Sequence, residues 1–309
     1  GKIDKDILYR ENYSTIYWSF SYLLTMIFPS QYQIEVNHLI NLAFSLSTII
    51  GIGKISAELF NKKIGKIVFL ILFFYPIFFG HMSFNNSDTI LAFSHIWITY
   101  FVLRYLKKQN IKYKTNSYVI YIGVLAALST GIQLVFLSSL IPTFLFILIE
   151  VFYSKKITNK NFSNKKFLYD FFKCFILFYF LLILFWIDVY PNIFVLPFNL
   201  IIETFSDKYW TGWPYNLING TYYISNNVPK FYFIINFIYK TPEYFLISYL
   251  IFFVLLLKCN KFFVDRFRFF NYKISLVILI LIFPNLILLA SPYPLYDGMR
   301  LFLWTLPYF

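Results

Sequence analysis

Charged residues are scarce in this chain, and their scarcity excludes a soluble globular domain. Only 13% of the 309 residues are Asp, Glu, Lys or Arg, whereas 59% are hydrophobic. A soluble domain carries about 25% charged residues. Apolar runs recur along the whole length between short connectors rich in Lys and Asn, which excludes a disordered chain. The composition therefore predicts an all-α fold, a polytopic transmembrane helical bundle.

Cysteine is scarce as well, which excludes a disulfide framework and a cysteine-rich metal site. Cys174 and Cys259 have neither metal-ligand spacing nor an obvious mate, so we expect two plain thiols. The sequence also lacks an initiator Met and a basic-plus-apolar targeting segment, and Phe309 stops inside an apolar run. We expect a chain that is cut at both ends.

A bilayer requires about 20 apolar residues per helix, and this length divides the chain into spans and loops. Residues 1–34 are predicted to form an outer loop with an aromatic, amphipathic interfacial stretch, and residues 188–240 a long outer loop. Transmembrane helices occupy 35–187 and, incompletely, 241–309. The nine predicted helices are at about 35–59, 64–79, 89–106, 117–130, 132–153, 166–187, 241–258 and 273–290, with the last starting near 300.

The two signs of charge are predicted to lie on opposite sides of the membrane. If 1–34 lies outside, the inner connectors and helix ends hold 20 of the 27 Lys and Arg residues, whereas ten of the 14 acids lie outside. Lys and Arg accumulate on cytoplasmic connections. The net charge of +13 is thereby explained by membrane topology and by anionic membrane lipid as a partner, with no nucleic acid. Interfacial belts and lipid-facing residues account for most of the 24% aromatic content.

Three motifs in the predicted outer loops together resemble a known family. YPIFFGHMSFNNSD (75–88) is similar to P-x-F-F-G-H-x-x-x-N-P-K-D, and YDGMR (296–300) to Y-D-G-x-R-H. Between them lie Gly220, Tyr222, Val228-Pro229 and Lys240 to Pro242, as in a pattern G-x-Y, V-P and K-T-P. The pattern resembles the GT-C class of integral-membrane glycosyltransferases, especially bacterial relatives of the dolichyl- or polyprenyl-phosphate-mannose protein mannosyltransferases.

The resemblance implies transfer of a sugar from a polyprenyl-phosphate donor to an unknown acceptor at the outer face of a multi-pass protein, in the bacterial inner membrane with the site on the periplasmic side. It implies no cofactor, and a divalent metal is not demanded because the outer acids are scattered. Ser87, Leu301 and Gln133 stand where the family has Lys, His and Arg, which puts phosphate binding and acid–base assistance there in doubt. The family's first helix would lie upstream of Gly1.

Sugar transfer requires a base near the acceptor hydroxyl. The resemblance implies that Asp4 and Asp6, with Glu11 behind them, are candidates, or else solvated loop acids. Asp88 is a third catalytic candidate, or a first-turn acid that the helix dipole favours. His81 either orients Asp88 or lies at the interface, and Asn85 and Asn86 support the same turn.

The leaving phosphate requires cations, and the sugar requires aromatic surface. Arg300 and Lys240 are the phosphate candidates, or snorkelling interfacial cations. Asp297 orients Arg300 or caps a helix, and Glu243 stabilises a helix start. A sugar or acceptor platform is predicted at Trp210, Trp213 and Tyr222, which interfacial anchoring explains equally well.

Two other classes of protein remain open. A transporter or flippase of lipid-linked saccharides would carry ionisable groups near the middle of its helices, and a noncatalytic scaffold would show no convergence of acids with Arg and Lys. The predicted clustering of charge at one rim favours the transferase.

Overall fold

The computed structural model describes residues 14–203, 214–290, 295 and 297–309. This part of the chain is a helical bundle with one two-stranded antiparallel hairpin, formed by β1 (Tyr215–Ile218) and β2 (Thr221–Ile224). The helices are α1 (Ile16–Thr25), α2 (Gln33–Leu59), α3 (Lys62–Phe73), α4 (Pro76–His81), α5 (Asp88–Lys108), α6 (Lys112–Ile132), α7 (Phe136–Ser139), α8 (Ile141–Ile149), α9 (Asn164–Leu184), α10 (Leu196–Glu203), α11 (Tyr232–Lys240), α12 (Glu243–Lys258), α13 (Asn260–Arg266) and α14 (Phe270–Ala290). Single turns of 3₁₀ helix include Arg300–Phe302 and Leu306–Tyr308.

Helix α5 lies at the centre of the bundle. It packs between α2 and α6, while α2 also contacts α3 and α6 also contacts α9. Within its most apolar stretch, 72% of the residues are buried in the protein, compared with 22% in α9 and 28% in α14. The peripheral helices therefore present most of their apolar side chains outward, as expected of helices that face lipid.

Six described helical segments are long and apolar enough to cross a membrane: Ser30–Leu59, Asp88–Lys108, Tyr113–Ile132, Phe136–Ser154, Asn164–Leu184 and Phe270–Ala290. A seventh arises if Tyr232–Lys240 and Glu243–Lys258 count as one span, although they meet at a bend of 118°. The all-α membrane bundle is thus confirmed. The count of nine spans is wrong.

Three predicted spans account for the difference, and a proline explains one of them. The span predicted at 64–79 is divided into α3 and α4, because Pro76 forces Tyr75 into an extended conformation and starts a new helix. The span predicted at 241–258 is α12, which has 16 residues and is too short to count as a span without α11, from which it is separated at Pro242. The helix predicted from about 300 is instead a series of short turns, with Arg300–Phe302 and Leu306–Tyr308 as 3₁₀ helix.

The C-terminal segment is fixed to α5 by polar contacts inside the bundle. The Tyr308 hydroxyl lies 2.9 Å from Nδ1 of His95 and 3.0 Å from Oγ1 of Thr99, and all three residues are buried. His95 Nε2 lies 3.0 Å from the Ser139 carbonyl, so this nitrogen carries the proton. Because buried polar groups require partners, these contacts fix where the chain from Arg300 onward sits on α5.

The two ends of α5 differ in charge. At its C-terminal end Arg104 and Lys107 both pair with Glu58 at the end of α2, the Lys107 Nζ at 2.9 Å. Asp88 begins the helix about 30 Å away, at a rise of about 1.5 Å per residue. Two bases of one predicted inner connector, Arg104 and Lys107, therefore lie at the end of α5 opposite Asp88.

The two predicted outer segments contain regular structure where they are described. In 1–34 the amphipathic helix is α1, which buries Ile16, Tyr17, Ser21 and Thr25 and exposes Trp18 and Tyr22. In 188–240 lie α10, the hairpin and α11. Both cysteines are free, as predicted, Cys174 partly buried and Cys259 exposed.

The contact between α2 and α3 depends on a glycine, Gly65, which has no side chain. A Cβ on Gly65 would clash with the Gly53 carbonyl oxygen and lie 3.0 Å from the Ala57 Cβ. We predict that Gly65→Ala lowers the free energy of unfolding by about 1–3 kcal/mol, because backbone cannot move aside as a flexible side chain can. Thermal unfolding in detergent measures this change.

Gly80 is the matched control, because nothing lies within 4 Å of its Cβ position in α4. Gly80→Ala should leave the unfolding temperature unchanged or raise it slightly, since alanine favours helix. Equal effects of the two substitutions would contradict the close approach of α2 and α3.

Candidate functional site

The site begins at the turn that leads into α5. The Asn85 side chain accepts a hydrogen bond from the Asp88 backbone N–H at 3.1 Å and donates one to Asp88 Oδ2 at 2.8 Å. Asn85 and Asp88 are both buried. Asp88 occupies the first helical turn, where the helix dipole favours a negative charge. Asn85 therefore starts the helix and fixes the carboxylate at once.

An ion pair joins this turn to the far end of the chain. Arg300 donates from Nε to Asp88 Oδ2 at 2.7 Å and from Nη1 to Asp297 Oδ2 at 3.0 Å. The Asp88 side chain is 7% exposed, that of Arg300 35% and that of Asp297 59%. A carboxylate buried to this degree is stable as an ion only with a partner. Asp88 is therefore a first-turn acid, one of the two alternatives that the sequence left for it, and its carboxylate also pairs with Arg300.

The turn that carries Arg300 has an unusual backbone. Asp297 and Gly298 both have positive φ, 63° and 66°. The Gly298 N–H donates to the hydroxyl of the buried Tyr232 at 2.8 Å. Glycine adopts a left-handed backbone conformation at little cost in free energy, and here the hydrogen bond holds Gly298 in that conformation. The D-G of the YDGMR motif thereby presents Asp297 and Arg300 on the same side.

Lys240 lies against this turn. A Cβ on Gly298 would clash with the Lys240 ammonium and lie 2.6 Å from its Cε and 3.1 Å from Asn236 Oδ1. Tyr232, Asn236 and Lys240 are spaced by four residues and so share one face of α11. The structure thus brings the two predicted cations to one turn.

His81, at the end of α4, lies within the same electrostatic field. Burial lowers its pKa; the charges of Arg300 and Lys240 lower it further, and those of Asp88 and Asp297 oppose them. The imidazole is therefore neutral at pH 7. Among the described residues no hydrogen bond joins His81 to Asp88, so the orienting role predicted for His81 is not visible as a direct contact.

A hydrogen bond of 2.9 Å between the hydroxyls of Tyr75 and Thr241 ties α4 to the end of α11. Both residues are buried, and burial raises the pKa of Tyr75 to about 12. Tyr75 precedes the helix that ends at His81, and Thr241 follows Lys240. The threonine of the K-T-P motif thus positions the lysine beside it.

Other predicted residues lie apart from the ion pair. Glu243 is exposed in the first turn of α12, as expected for a helix-start acid, and Asn86 is half-buried beside a separate cavity. Tyr222 is 74% exposed on β2. The hairpin itself contacts the segment before Arg300, because Asn216 Nδ2 donates to the Leu295 carbonyl at 2.6 Å. Asp4, Asp6, Trp210 and Trp213 lie outside the described residues.

Sequence reasoning missed three buried positioning residues: Tyr232, Thr241 and Tyr308. The i, i+4, i+8 spacing of Tyr232, Asn236 and Lys240 could have found the first. The described residues contain no group of three or more His, Cys, Asp or Glu side chains placed to hold a metal ion.

A comparison with models of known protein families shows which family the chain belongs to. The family model for dolichyl-phosphate-mannose-protein mannosyltransferases matches residues 16–186, more than half of the chain. The chain belongs to this mannosyltransferase family. The matched region ends before Lys240 and Arg300, so the fold, and not the match, brings these two cations to Asp88. No curated protein and no solved structure is significantly similar to the chain.

Gly298→Ala tests the placement of Lys240. The added Cβ must displace the ammonium, so we predict weaker binding of a polyprenyl phosphate, by about tenfold, in a titration of the protein in nanodiscs. The loss should be non-additive with Lys240→Ala, because the second substitution removes the group that the first displaces.

Gly220→Ala controls for backbone strain. Gly220 also has a positive φ, 77°, but nothing lies within 4 Å of its Cβ position. This variant should lose stability but bind polyprenyl phosphate normally. Additive losses in Gly298→Ala and Lys240→Ala would mean that the glycine acts independently of the lysine.

Proposed function

We propose that the protein is a glycosyltransferase that moves a sugar from a polyprenyl-phosphate carrier to an acceptor hydroxyl at the outer face of the membrane. The observation that carries the proposal is the convergence of Arg300 and Lys240 at the turn 297–300, beside the start of a membrane helix. A lipid phosphate lies at the membrane surface and requires cations there. The apolar exteriors of the helices suit its isoprenoid tail.

The burial of the two acids that flank Arg300 suggests how it could bind a phosphate. Asp88 is 7% exposed and Asp297 is 59% exposed. A phosphate oxygen can therefore replace Asp297 as an acceptor while Asp88 continues to hold the guanidinium by Nε. In this proposal Asp88 positions Arg300 and fixes the plane of its guanidinium group. A fixed plane is needed for the guanidinium to bind two phosphate oxygens at once.

In the reaction the acceptor oxygen bonds to the anomeric carbon as the bond from that carbon to the phosphate oxygen breaks. The electron pair of the broken bond stays on the polyprenyl phosphate, whose growing charge Arg300 and Lys240 stabilise. The acceptor proton passes to a carboxylate base. Because Asp88 is engaged with Arg300 and Asn85, that role falls to Asp4 or Asp6, and both remain proposals.

The charge distribution does not favour the transporter alternative. Buried Glu150 accepts from the backbone N–H groups of Ile157 and Thr158, and buried Asp170 accepts from Tyr105 at 2.9 Å. Both acids thus have hydrogen-bond donors away from the turn 297–300, Glu150 through Oε1 alone, since its Oε2 has no hydrogen-bond partner among the described residues. Neither lies beside the turn 297–300.

Arg300→Ala tests the proposal. The purified chain in nanodiscs is given a radiolabelled polyprenyl-phosphate sugar, and donor binding and transfer are measured separately. We predict loss of transfer by about 10²–10³-fold, as for removal of one fixed donor from a developing anion. Arg300→Lys should bind the donor more weakly than wild type but better than Arg300→Ala, because it keeps the charge and loses the fork.

Arg268→Ala is the matched control. It removes the same charge in a predicted inner connector, where the Arg268 guanidinium lies over the Phe269 ring. Donor binding and transfer should stay at the wild-type level in this variant. Unchanged donor binding and turnover in Arg300→Ala would remove the arginine from the site, and movement of the lipid-linked sugar across the bilayer without transfer would favour a transporter.

A further inference from the structure

A cavity separate from the ion pair lies beside the loop that precedes α5. It has a volume of about 510 Å³ and is lined by α1, the start of α2 and three loop residues, Ser83, Phe84 and Asn86. Small-molecule sites occupy about 300–1,000 Å³. The cavity is therefore large enough for a ligand, and neither the ion pair nor the phosphate-binding proposal uses it.

The described lining of the cavity offers a ligand no charged side chain. No Asp, Glu, Lys or Arg is among the described residues that line the cavity, whose polar groups are amides, hydroxyls and one imidazole. Trp18 and Tyr22 add aromatic faces that are 46% and 62% exposed. Flat apolar faces combined with neutral donors and acceptors suit a sugar ring, which has apolar C–H faces and a rim of hydroxyls.

The walls of the cavity are held in shape by their own hydrogen bonds. Ser21 donates to Asn37 Oδ1 at 2.6 Å, which joins α1 to α2, and Asn37 Nδ2 donates to the Gln33 carbonyl at 2.9 Å. His38 Nδ1 lies 2.7 Å from the Ser83 carbonyl, which joins α2 to the loop. A ligand therefore enters a site that is already formed.

Three polar groups on these walls are left for a ligand. A carbonyl can only accept, so His38 Nδ1 carries the proton and Nε2 of the neutral ring is an acceptor. Among the described residues, no hydrogen bond is made to His38 Nε2 or to the side-chain amides of Gln33 and Asn86. These groups offer the cavity one hydrogen-bond acceptor and two amides, each of which can donate and accept. The hydroxyl groups of a sugar, which also donate and accept, can pair with all three.

The cavity and the ion pair share a wall. Asn86 lines the cavity, and its neighbour Asn85 holds Asp88 by two hydrogen bonds. A ring bound here would lie beside the loop that positions the Asp88–Arg300 pair. We propose that this cavity binds a neutral sugar ring of the acceptor, so that the acceptor is a saccharide, free or lipid-linked, and not a peptide. The assignment rests on the proposed transferase function.

The test measures binding of neutral saccharides to the chain in nanodiscs by saturation-transfer NMR. One arm uses soluble methyl hexosides and the other a dialkylglycerol hexoside, with plain phospholipid as the reference. We expect binding in at least one of the two saccharide arms, and that arm identifies the source of the sugar. Gln33→Ala and Asn86→Ala should each weaken it by about tenfold, because each removes a hydrogen-bonding amide that no described residue uses.

Asn110→Ala is the matched control, because it removes an exposed amide in a predicted inner connector. It should bind saccharide as the wild type does. Polyprenyl-phosphate binding should be unchanged in all three amide variants, which separates this inference from the donor site at Arg300. The proposal would be overturned if the wild-type chain bound neither saccharide, or bound plain phospholipid equally well. It would also be overturned if the wild type transferred sugar to a peptide and saccharides did not compete with that peptide. Equal saccharide binding by all the variants would overturn it too.

Discussion

The ion pair between Asp88 and Arg300 is the contact on which the architecture of the site depends. It joins the first turn of the central helix to a turn 212 residues later in the chain. Burial makes an unpaired Asp88 costly, so the carboxylate requires a cation and the fold must supply one. Asn85 completes the arrangement, since one side chain starts the helix and holds the carboxylate.

The surrounding elements act on this pair from three directions. The Tyr308 hydroxyl fixes the C-terminal segment to His95 and Thr99 on α5 itself, Tyr232 fixes the left-handed turn before Arg300, and Tyr75 fixes Thr241 beside Lys240. In the proposed reaction, a fixed guanidinium and a nearby ammonium would stabilise the charge that develops on the phosphate without reorganising. The charged residues lie around the turn 297–300, whereas the cavity beside the loop is lined by amides and aromatic faces with no charged side chain among the described residues.

The sequence predicted the membrane bundle and the family well, because apolar length and local motifs are local signals. The turns around Asp88 and Arg300 were both found from their motifs. The count of spans was wrong where Pro76 divides an apolar run that looks continuous by composition, where α12 is too short to cross a membrane alone, and where the chain from Arg300 forms short turns. Contacts such as Tyr75–Thr241 and His95–Tyr308 were not predictable, because they join residues far apart in the chain, and no local pattern records which distant hydroxyl meets which. Asp4, Asp6, Trp210 and Trp213 stay predictions.

A double-mutant cycle on the ion pair tests the central claim most directly. The free energy of unfolding is measured in detergent for the wild type, Asp88→Asn, Arg300→Gln and the variant with both changes. If the two side chains form the buried pair, the double variant loses less stability than the sum of the single ones, with a coupling energy of about 0.5–3 kcal/mol. Losses that add within about 0.3–0.5 kcal/mol would mean that the side chains do not interact, and the account of the site would be wrong.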